Sequence, residues 1–462
     1  MASNQLLVTS AACAATAARH SLVTQIAPAV RSFATASSSA QPATSPARNH
    51  KVVVVGGGSA GLTISHQLLR KGKFSQDDIA VVDPAEWHHY QPGWTLVGGG
   101  LKDKTALRRP LSSLIDPKLR FYNTSLSKFS PDANTVTLGD GTTLTYDQLI
   151  VAPGIAINYD GIKGLKAALE DSHAPVSTIY SYATCDKTFD NIKALTGGQA
   201  LFTQPVGVVK CAGAPQKIMW LALDHWKRTG LYNPSDPPGS AINISFATGL
   251  PTMFGVPKYS AALEKLRVAR GVEGLFSHDL VEVDGNNATF VHAPSGDRVT
   301  RRFDFLHATP KMGPHAFVKN SPLANEAGFV DVDDATLRHK KWKNVWSAGD
   351  ASSLPTSKTA AAITAQAPVL VENMLRDMEG KSAGEEARYD GYTSCPLLTQ
   401  YGKVLLAEFK YAGEPKETFA GILGDQATPR RVFYHLKKDF FPWVYYKYMV
   451  KGQWAGPKGL IR

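Results

Sequence analysis

At 462 residues the chain has enough material for two or three domains with full cores, and its 43% hydrophobic and 19% charged residues exclude a disordered polymer. The net charge of +11 suits an anionic substrate, anionic lipid or nucleic acid, but no zinc spacing or nucleic-acid motif is present, so no nucleic-acid partner is expected. The cysteines Cys13, Cys185, Cys211 and Cys395 are too few for a secreted disulfide scaffold, and the lack of any run of about eighteen apolar residues argues against a spanning helix.

Residues 1–49 are rich in Ala, Ser and Thr. They carry Arg19, Arg31 and Arg48 and no acid; the first acid in the chain is Asp77. This is the composition of a mitochondrial transit peptide, with Arg31-Ser-Phe-Ala-Thr as a cleavage region. The alternative is a disordered tail. The fold is expected to begin at His50, with residues 50–154 as the first part of a cofactor-binding domain.

Lys51 to Gly61 organises that domain. Four consecutive valines predict a buried parallel strand. Gly56, Gly58 and Gly61, with Gly57, Ser59 and Ala60 between them, form G-x-G-x-x-G at a strand-to-helix turn. The first glycine permits the turn, the second lets backbone approach a pyrophosphate, and the third lets the helix (62–71) pack on the strand. The helix N-terminus favours the anion. A second strand, Ile79 to Asp83, ends in an acid about twenty residues on, suited to a ribose hydroxyl. The whole βαβ unit predicts dinucleotide binding.

The loop Pro84-Ala-Glu-Trp-His-His-Tyr-Gln-Pro-Gly-Trp94 has the aromatic density of a cofactor lining or of plain core. Strands are expected over 129–138 and 143–150, in a hairpin around Gly139-Asp140-Gly141. Small residues at Ala152 and Gly154 would let backbone approach a flat ring system. Residues 155–300 repeat the layout as a second Rossmann-like domain, with a strand at 200–203, a helix at 214–229, a strand at 242–248 and a helix at 259–270. Its first turn, Pro205-Val-Gly-Val-Val-Lys-Cys-Ala-Gly-Ala-Pro215, lacks the glycine spacing and makes a poor nicotinamide site.

Residues 301–385 return to the first domain. A strand at 343–347 runs into Gly349-Asp350, where the acid suits a ribitol hydroxyl or an N-cap. Lys358 and Thr359 precede an alanine-rich helix whose dipole can face an electron-rich ring edge. Residues 386–462 form a C-terminal segment. Its aromatics interleave with Lys437, Lys438, Lys447 and Lys451, and Pro442 predicts two short helices rather than one. Such a tail suits the membrane interface or packs on its own domain.

Cys211 and Cys395 are the candidate redox pair, each in a loop flanked by proline and small residues. Lys210 and Lys217 favour the thiolate of Cys211. A disulfide between them would be open to thiol or sulfide attack, one sulfur leaving as thiolate to reduce a flavin. Cys185 reads as core, and Cys13 lies in the transit segment.

VVVVGGGSAGL, VDPAEWHHYQPGWTLVGGG, VKCAGAPQKIMW, GDASSLPTSKTAAA, YDGYTSCPLLTQYGKVLLAEF and GQWAGP together resemble the mitochondrial sulfide:quinone oxidoreductases, among the two-domain disulfide reductase-like flavoproteins. The resemblance implies an α/β fold of two Rossmann-like domains with a C-terminal amphipathic membrane-interface segment. It implies FAD held by Gly56, Gly58, Gly61, Asp83, Gln91 and Asp350. Lys358 and Thr359 lie near the isoalloxazine, and Leu126 makes a backbone contact on the adenine side. It implies attack of hydrosulfide at Cys395, a persulfide there, a thiolate at Cys211 and reduction of ubiquinone. The sulfur then passes to glutathione or sulfite. Thr309-Pro-Lys-Met-Gly-Pro314 resembles a quinone-pocket loop. Ala351 stands where many members carry a cysteine, outside the redox pair. The implied place is the inner mitochondrial membrane, bound from the matrix side without spanning it. The rivals are a type II NADH:quinone oxidoreductase, which needs a second glycine fingerprint, and a non-catalytic flavin redox sensor.

Overall fold

The structure, a computed structural model, describes residues 48–381 and 384–461. The expected transit peptide and Cys13 lie outside the described residues.

The valine run forms β1 (Arg48–Val55), which starts four residues before the first valine, and Val52, Val53 and Val54 are fully buried. It leads through the glycine turn into α1 (Ser59–Arg70). Around β1 lies a seven-stranded sheet. Its other strands include β2 (Ile79–Val82), β3 (Arg120–Tyr122), β4 (Leu126–Ser130), β5 (Thr135–Leu138) and β6 (Thr143–Val151), in the order β3-β2-β1-β6-β5-β4. The first four strands of that order run parallel, and β6, β5 and β4 form an antiparallel meander. The strand Val345–Ser347 pairs in parallel with the end of β6, which brings the far part of the chain back to the first sheet.

The expected single strand over 129–138 is two strands. Pro131 starts a tight turn, Pro131–Ala133, because it has no N–H to give a ladder, and Asn134 closes the turn at φ +51°.

A second sheet is wholly parallel: β7 (Val176–Ser177), β8 (Gly198–Gln204), β9 (Ile242–Thr248), β10 (Glu273–Phe276) and β11 (Phe305–His307), in the order β7-β11-β8-β9-β10. Helices α2 (Ala214–Arg228) and α3 (Pro257–Ala269) connect its strands. Because β11 pairs with β7 and β8, this sheet extends past the boundary expected at residue 300. The helix α4 (Ala360–Met378) packs against α1, and the hairpin of Thr393–Gln400 and Lys403–Phe409 packs against α2.

The tail departs from expectation. Helical backbone runs from Arg431 to Met449, with wide π-type turns at Leu436–Phe440 and Tyr445–Met449. Pro442 is the second residue of the turn Phe441–Val444. It lacks a donor and would crowd the carbonyl four residues back in a regular helix; the widened turn before it gives the ring room. No helix among the described residues is long and apolar enough to cross a membrane.

The glycine turn tolerates no side chain at two positions. Gly56 sits at φ +105°, and a Cβ there would meet the Ala152 carbonyl; a Cβ on Gly61 would overlap the Gly56 carbonyl oxygen. Gly61→Ala is therefore expected to cost roughly 1–3 kcal/mol through forced movement of β1 against α1. Thermal unfolding of the purified variant checks the cost.

Candidate active site

The ends of β1, β2 and β6 and the start of α4 enclose a cavity of about 330 Å³. Gly57, Gly58, Ser59 and Ala60 form one wall, and Asp83 stands at the end of β2. Ala152 and Gly154 line it after β6, and Asp350, Lys358 and Thr359 line it between Val345–Ser347 and α4. Gly56 and Gly61 shape the turn from outside the lining. A Cβ added to Gly58 or Gly154 would meet nothing within 4 Å, so at both places the backbone faces open space. That is the cradle a pyrophosphate and a flat ring require.

Asp83 accepts from the N–H of Gly57 at 2.6 Å and of Ala85 at 2.8 Å, and burial pushes its carboxyl above the usual range. Thr359 caps α4 by accepting from the Ala362 N–H at 3.1 Å, so the N-cap role considered for Asp350 belongs to Thr359. Asp350 is left turned to the cavity, its carboxyl raised by burial. The Lys358 ammonium donates to the Ser352 carbonyl at 2.6 Å, and burial pulls its pKa to about 8. Gln91 also lines the cavity and accepts from Lys210 at 3.3 Å. Trp87, His88, His89, Tyr90 and Trp94 stand beside it, so the aromatic loop is a lining. Leu126 is not brought there: it opens β4, is buried, and pairs with Leu138.

Cys211 and Cys395 are 184 positions apart in the chain, and their sulfurs lie 3.4 Å apart. Cys211 holds a left-handed backbone, φ +53°, just before α2. Its N–H donates to the Lys358 carbonyl at 2.8 Å, which fixes it beside the cavity. Cys395 comes from the strand Thr393–Gln400 and is 2% exposed. A Cβ on Gly213 would stand 2.6 Å from the Cys395 sulfur, so glycine is required there for the approach.

The electrostatics separate the two thiols. The Cys395 thiol donates to Cys211, and with the nearby Lys217 charge this holds Cys211 well below the ordinary thiol range despite burial. Cys395 is pushed well above it by that same bond and by burial. The Lys217 ammonium, fully buried on the first turn of α2, lies 3.2 Å from the Cys211 sulfur. Burial lowers its pKa, but the sulfur charge outweighs this and raises it.

Lys437 was not legible as a site residue. The sequence places it among the exposed lysines of the tail. The structure buries it to 2% exposure in the cavity wall, with its ammonium donating to the Pro92 carbonyl at 2.8 Å. Burial, then the charge of Lys217, brings its pKa to about 7. Tyr445 is a second such residue: its hydroxyl lies 2.5 Å from Ser59 Oγ and 2.7 Å from His88 Nε2. His88 Nδ1 in turn lies 3.2 Å from the Gly57 carbonyl. Burial lowers the His88 pKa to about 4, so the ring is neutral. A carbonyl only accepts, so Nδ1 carries the proton and Nε2 accepts from Tyr445. The tail is thereby tied to the glycine turn. Cys185 is core, with its thiol pushed up to about 12 by burial.

A family model described as pyridine nucleotide-disulphide oxidoreductase matches residues 50–193. A mitochondrial sulfide:quinone oxidoreductase of Schizosaccharomyces pombe is 46% identical over 434 residues, covering 89% of this chain and 93% of the relative. One of Mus musculus is 40% identical, covering 89% of each. The solved sulfide:quinone oxidoreductase of Aquifex aeolicus shares the fold at a TM-score of 0.70 and 17% identity, covering 87% of this chain and 92% of that one. A type II NADH:quinone oxidoreductase of Staphylococcus aureus is more distant, at 25% identity. With a dinucleotide cradle, two facing thiols and this similarity along nearly its whole length, the chain belongs to the mitochondrial sulfide:quinone oxidoreductases.

Proposed function

We propose that this chain is an FAD-dependent sulfide:quinone oxidoreductase in which Cys211 and Cys395 form the redox pair. The observation that carries the reading is the pair of sulfurs at 3.4 Å, that of Cys211 in the wall of the cavity and held by a buried ammonium, that of Cys395 buried behind it. Gly57, Gly58, Ser59 and Ala60 would hold the pyrophosphate, Asp83 a ribose hydroxyl and Asp350 a ribitol hydroxyl. The N-terminus of α4 would face the ring edge, near Lys358 and Thr359. Bound FAD supplies a two-electron acceptor that ubiquinone reoxidises.

The protein's own part is sulfur chemistry. In the oxidised pair, hydrosulfide attacks the Cys395 sulfur. The bond to Cys211 breaks, its electron pair leaves with Cys211 as thiolate, and Cys395 carries the persulfide. The Lys217 ammonium stabilises that leaving thiolate. The outer sulfur of the persulfide then passes to a small thiol or sulfite acceptor, such as glutathione. The basic balance favours the hydrosulfide anion. The exposed Trp443 and Val432 of the helical tail fit a peripheral seat on the inner mitochondrial membrane, on the matrix side, where ubiquinone is dissolved.

The Pro205–Pro215 turn lacks the second glycine fingerprint, which disfavours nicotinamide as donor. Anaerobic stopped-flow mixing tests the reading. Sulfide is expected to bleach the flavin, and a soluble ubiquinone analogue to restore it. Bleaching by NADH with no response to sulfide would transfer the assignment to the type II NADH dehydrogenase reading; no turnover with either would favour a redox sensor.

The tail's tie to the glycine turn adds a prediction. Tyr445→Phe removes the hydroxyl that His88 and Ser59 share, at a net cost of about 1–3 kcal/mol for the buried His88 acceptor left unmatched. Flavin retention, read as free-flavin fluorescence after dilution, is expected to weaken roughly tenfold.

A further inference from the structure

A second cavity, of about 290 Å³, shares no lining residue with the first. Four distant segments build it, Ala387 being the sole residue of one. The end of α1 supplies Gln67, Arg70 and Lys71. The middle of α4 supplies Pro368, Val369, Val371 and Glu372. The tail supplies Lys458 and Ile461. Arg70, Lys71 and Lys458 are exposed, and among the described residues none of them is ion-paired, whereas the nearby Lys73 pairs with Glu379. Glu372 is the only carboxylate among the described residues of the wall, so three cations stand there with one anion. On the inner side stands Gln67, 4% exposed, whose Nε2 donor is buried without a hydrogen-bond partner among the described residues. A desolvated donor left unmatched is costly, and a turn of the amide toward the cavity would let an oxygen-rich anion satisfy it.

We propose that this cavity binds a phosphate ester. A carboxylate brings one charge and two oxygens; three cations and an orphan amide donor suit a group with more of both. The apolar wall of Val369, Val371 and Ile461 beside the cations suits an ester with a short carbon arm. Two sources share this chemistry, a soluble sugar- or glycerol-type phosphate and the headgroup of an anionic phospholipid. The inference does not depend on the sulfide chemistry, because the two sites have no residue in common.

The test is calorimetric titration of the flavin-loaded full chain with glycerol phosphate and with inorganic phosphate, alongside co-sedimentation with vesicles of phosphatidylcholine alone or mixed with phosphatidylglycerol. Saturable binding at one site per chain is expected for at least one of the phosphate esters. The triple variant Arg70→Ala/Lys71→Ala/Lys458→Ala is expected to weaken it about a hundredfold. Gln67→Leu, which leaves the charge unchanged, is expected to weaken it roughly tenfold. Lys128→Ala/Lys265→Ala/Lys343→Ala, the same charge change at exposed positions elsewhere, is expected to leave it intact. Retained flavin absorbance confirms that each variant is folded. Binding of glycerol phosphate assigns a soluble ester; binding of phosphatidylglycerol vesicles alone, lost in the first triple variant, assigns a lipid headgroup. No saturable binding of any probe, or equal losses in the two triple variants, would overturn the proposal.

Discussion

Cys211→Ala and Cys395→Ala are each expected to abolish reduction of the bound flavin by sulfide, by roughly a thousandfold or more, while leaving the flavin bound. Neither variant can form the sulfur bridge, so hydrosulfide meets no electrophilic sulfur. The two losses have different chemical causes. Without Cys395 there is no atom to receive the incoming sulfur; without Cys211 there is no leaving group for the attack. Binding should survive, because the cavity proposed to hold the flavin is walled mainly by the glycine turn, Asp83, Asp350 and the start of α4, with Cys211 only one residue of its lining. Folding should survive as well. Alanine at 211 inherits the left-handed backbone that cysteine already tolerates, and alanine at 395 empties only the volume of one sulfur. Stopped-flow absorbance with sulfide, with the flavin content of each variant measured first, checks the claim. Near-normal bleaching in either variant would sink the two-cysteine mechanism. Cys185→Ala is the control: its thiol is buried core and should leave the rate unchanged.

The sequence carried local chemistry well and three-dimensional convergence poorly. The β1 turn was legible because the requirement is local: glycines at fixed spacing after a valine run, with φ +105° at Gly56 and backbone carbonyls where any Cβ would go. The strand at Ile242–Thr248 was legible for the same reason, as a short apolar run between turn signals. Cys211 and Cys395 were readable only as two suspicious loops; their meeting at 3.4 Å depends on how the late hairpin packs against α2. Lys437 and Tyr445 were hidden entirely. In the chain they belong to an aromatic, basic stretch with the pattern of an interface, and the π-type turns on either side of Pro442 decide which of its residues turn inward. Proline read as a helix breaker is a rule for regular helices, and here two widened turns accommodate it. Pro131 shows the opposite case, where a proline divided a strand that the apolar pattern had joined.

Lys217→Met is expected to slow sulfide-driven flavin reduction at pH 7 by about thirtyfold and to shift its pH profile upward, with recovery in alkali. The argument rests on sign. In the wild type the bond from Cys395 and the Lys217 charge hold the Cys211 thiol well below the ordinary range, which favours the thiolate. Methionine keeps the length and packing of the lysine stem and removes the charge 3.2 Å from the sulfur. If the thiol returns to about 8.5, the thiolate fraction at pH 7 falls to about 3%, which sets the size of the loss. Burial pushes the thiol further up while the bond from Cys395 still holds it down, so thirtyfold is the size expected where these two offset. Lys437 works against the loss. Its pKa is near 7 partly because Lys217 repels its proton. With that neighbour gone it holds the proton more readily and returns some positive charge to the sulfurs. The double variant Lys217→Met/Lys437→Met should therefore lose more than Lys217→Met alone and show the larger alkaline shift. A structural role for Lys217 would instead lower the rate equally at every pH, and a flat ratio of variant to wild type between neutral and alkaline pH would remove the lysine from the mechanism.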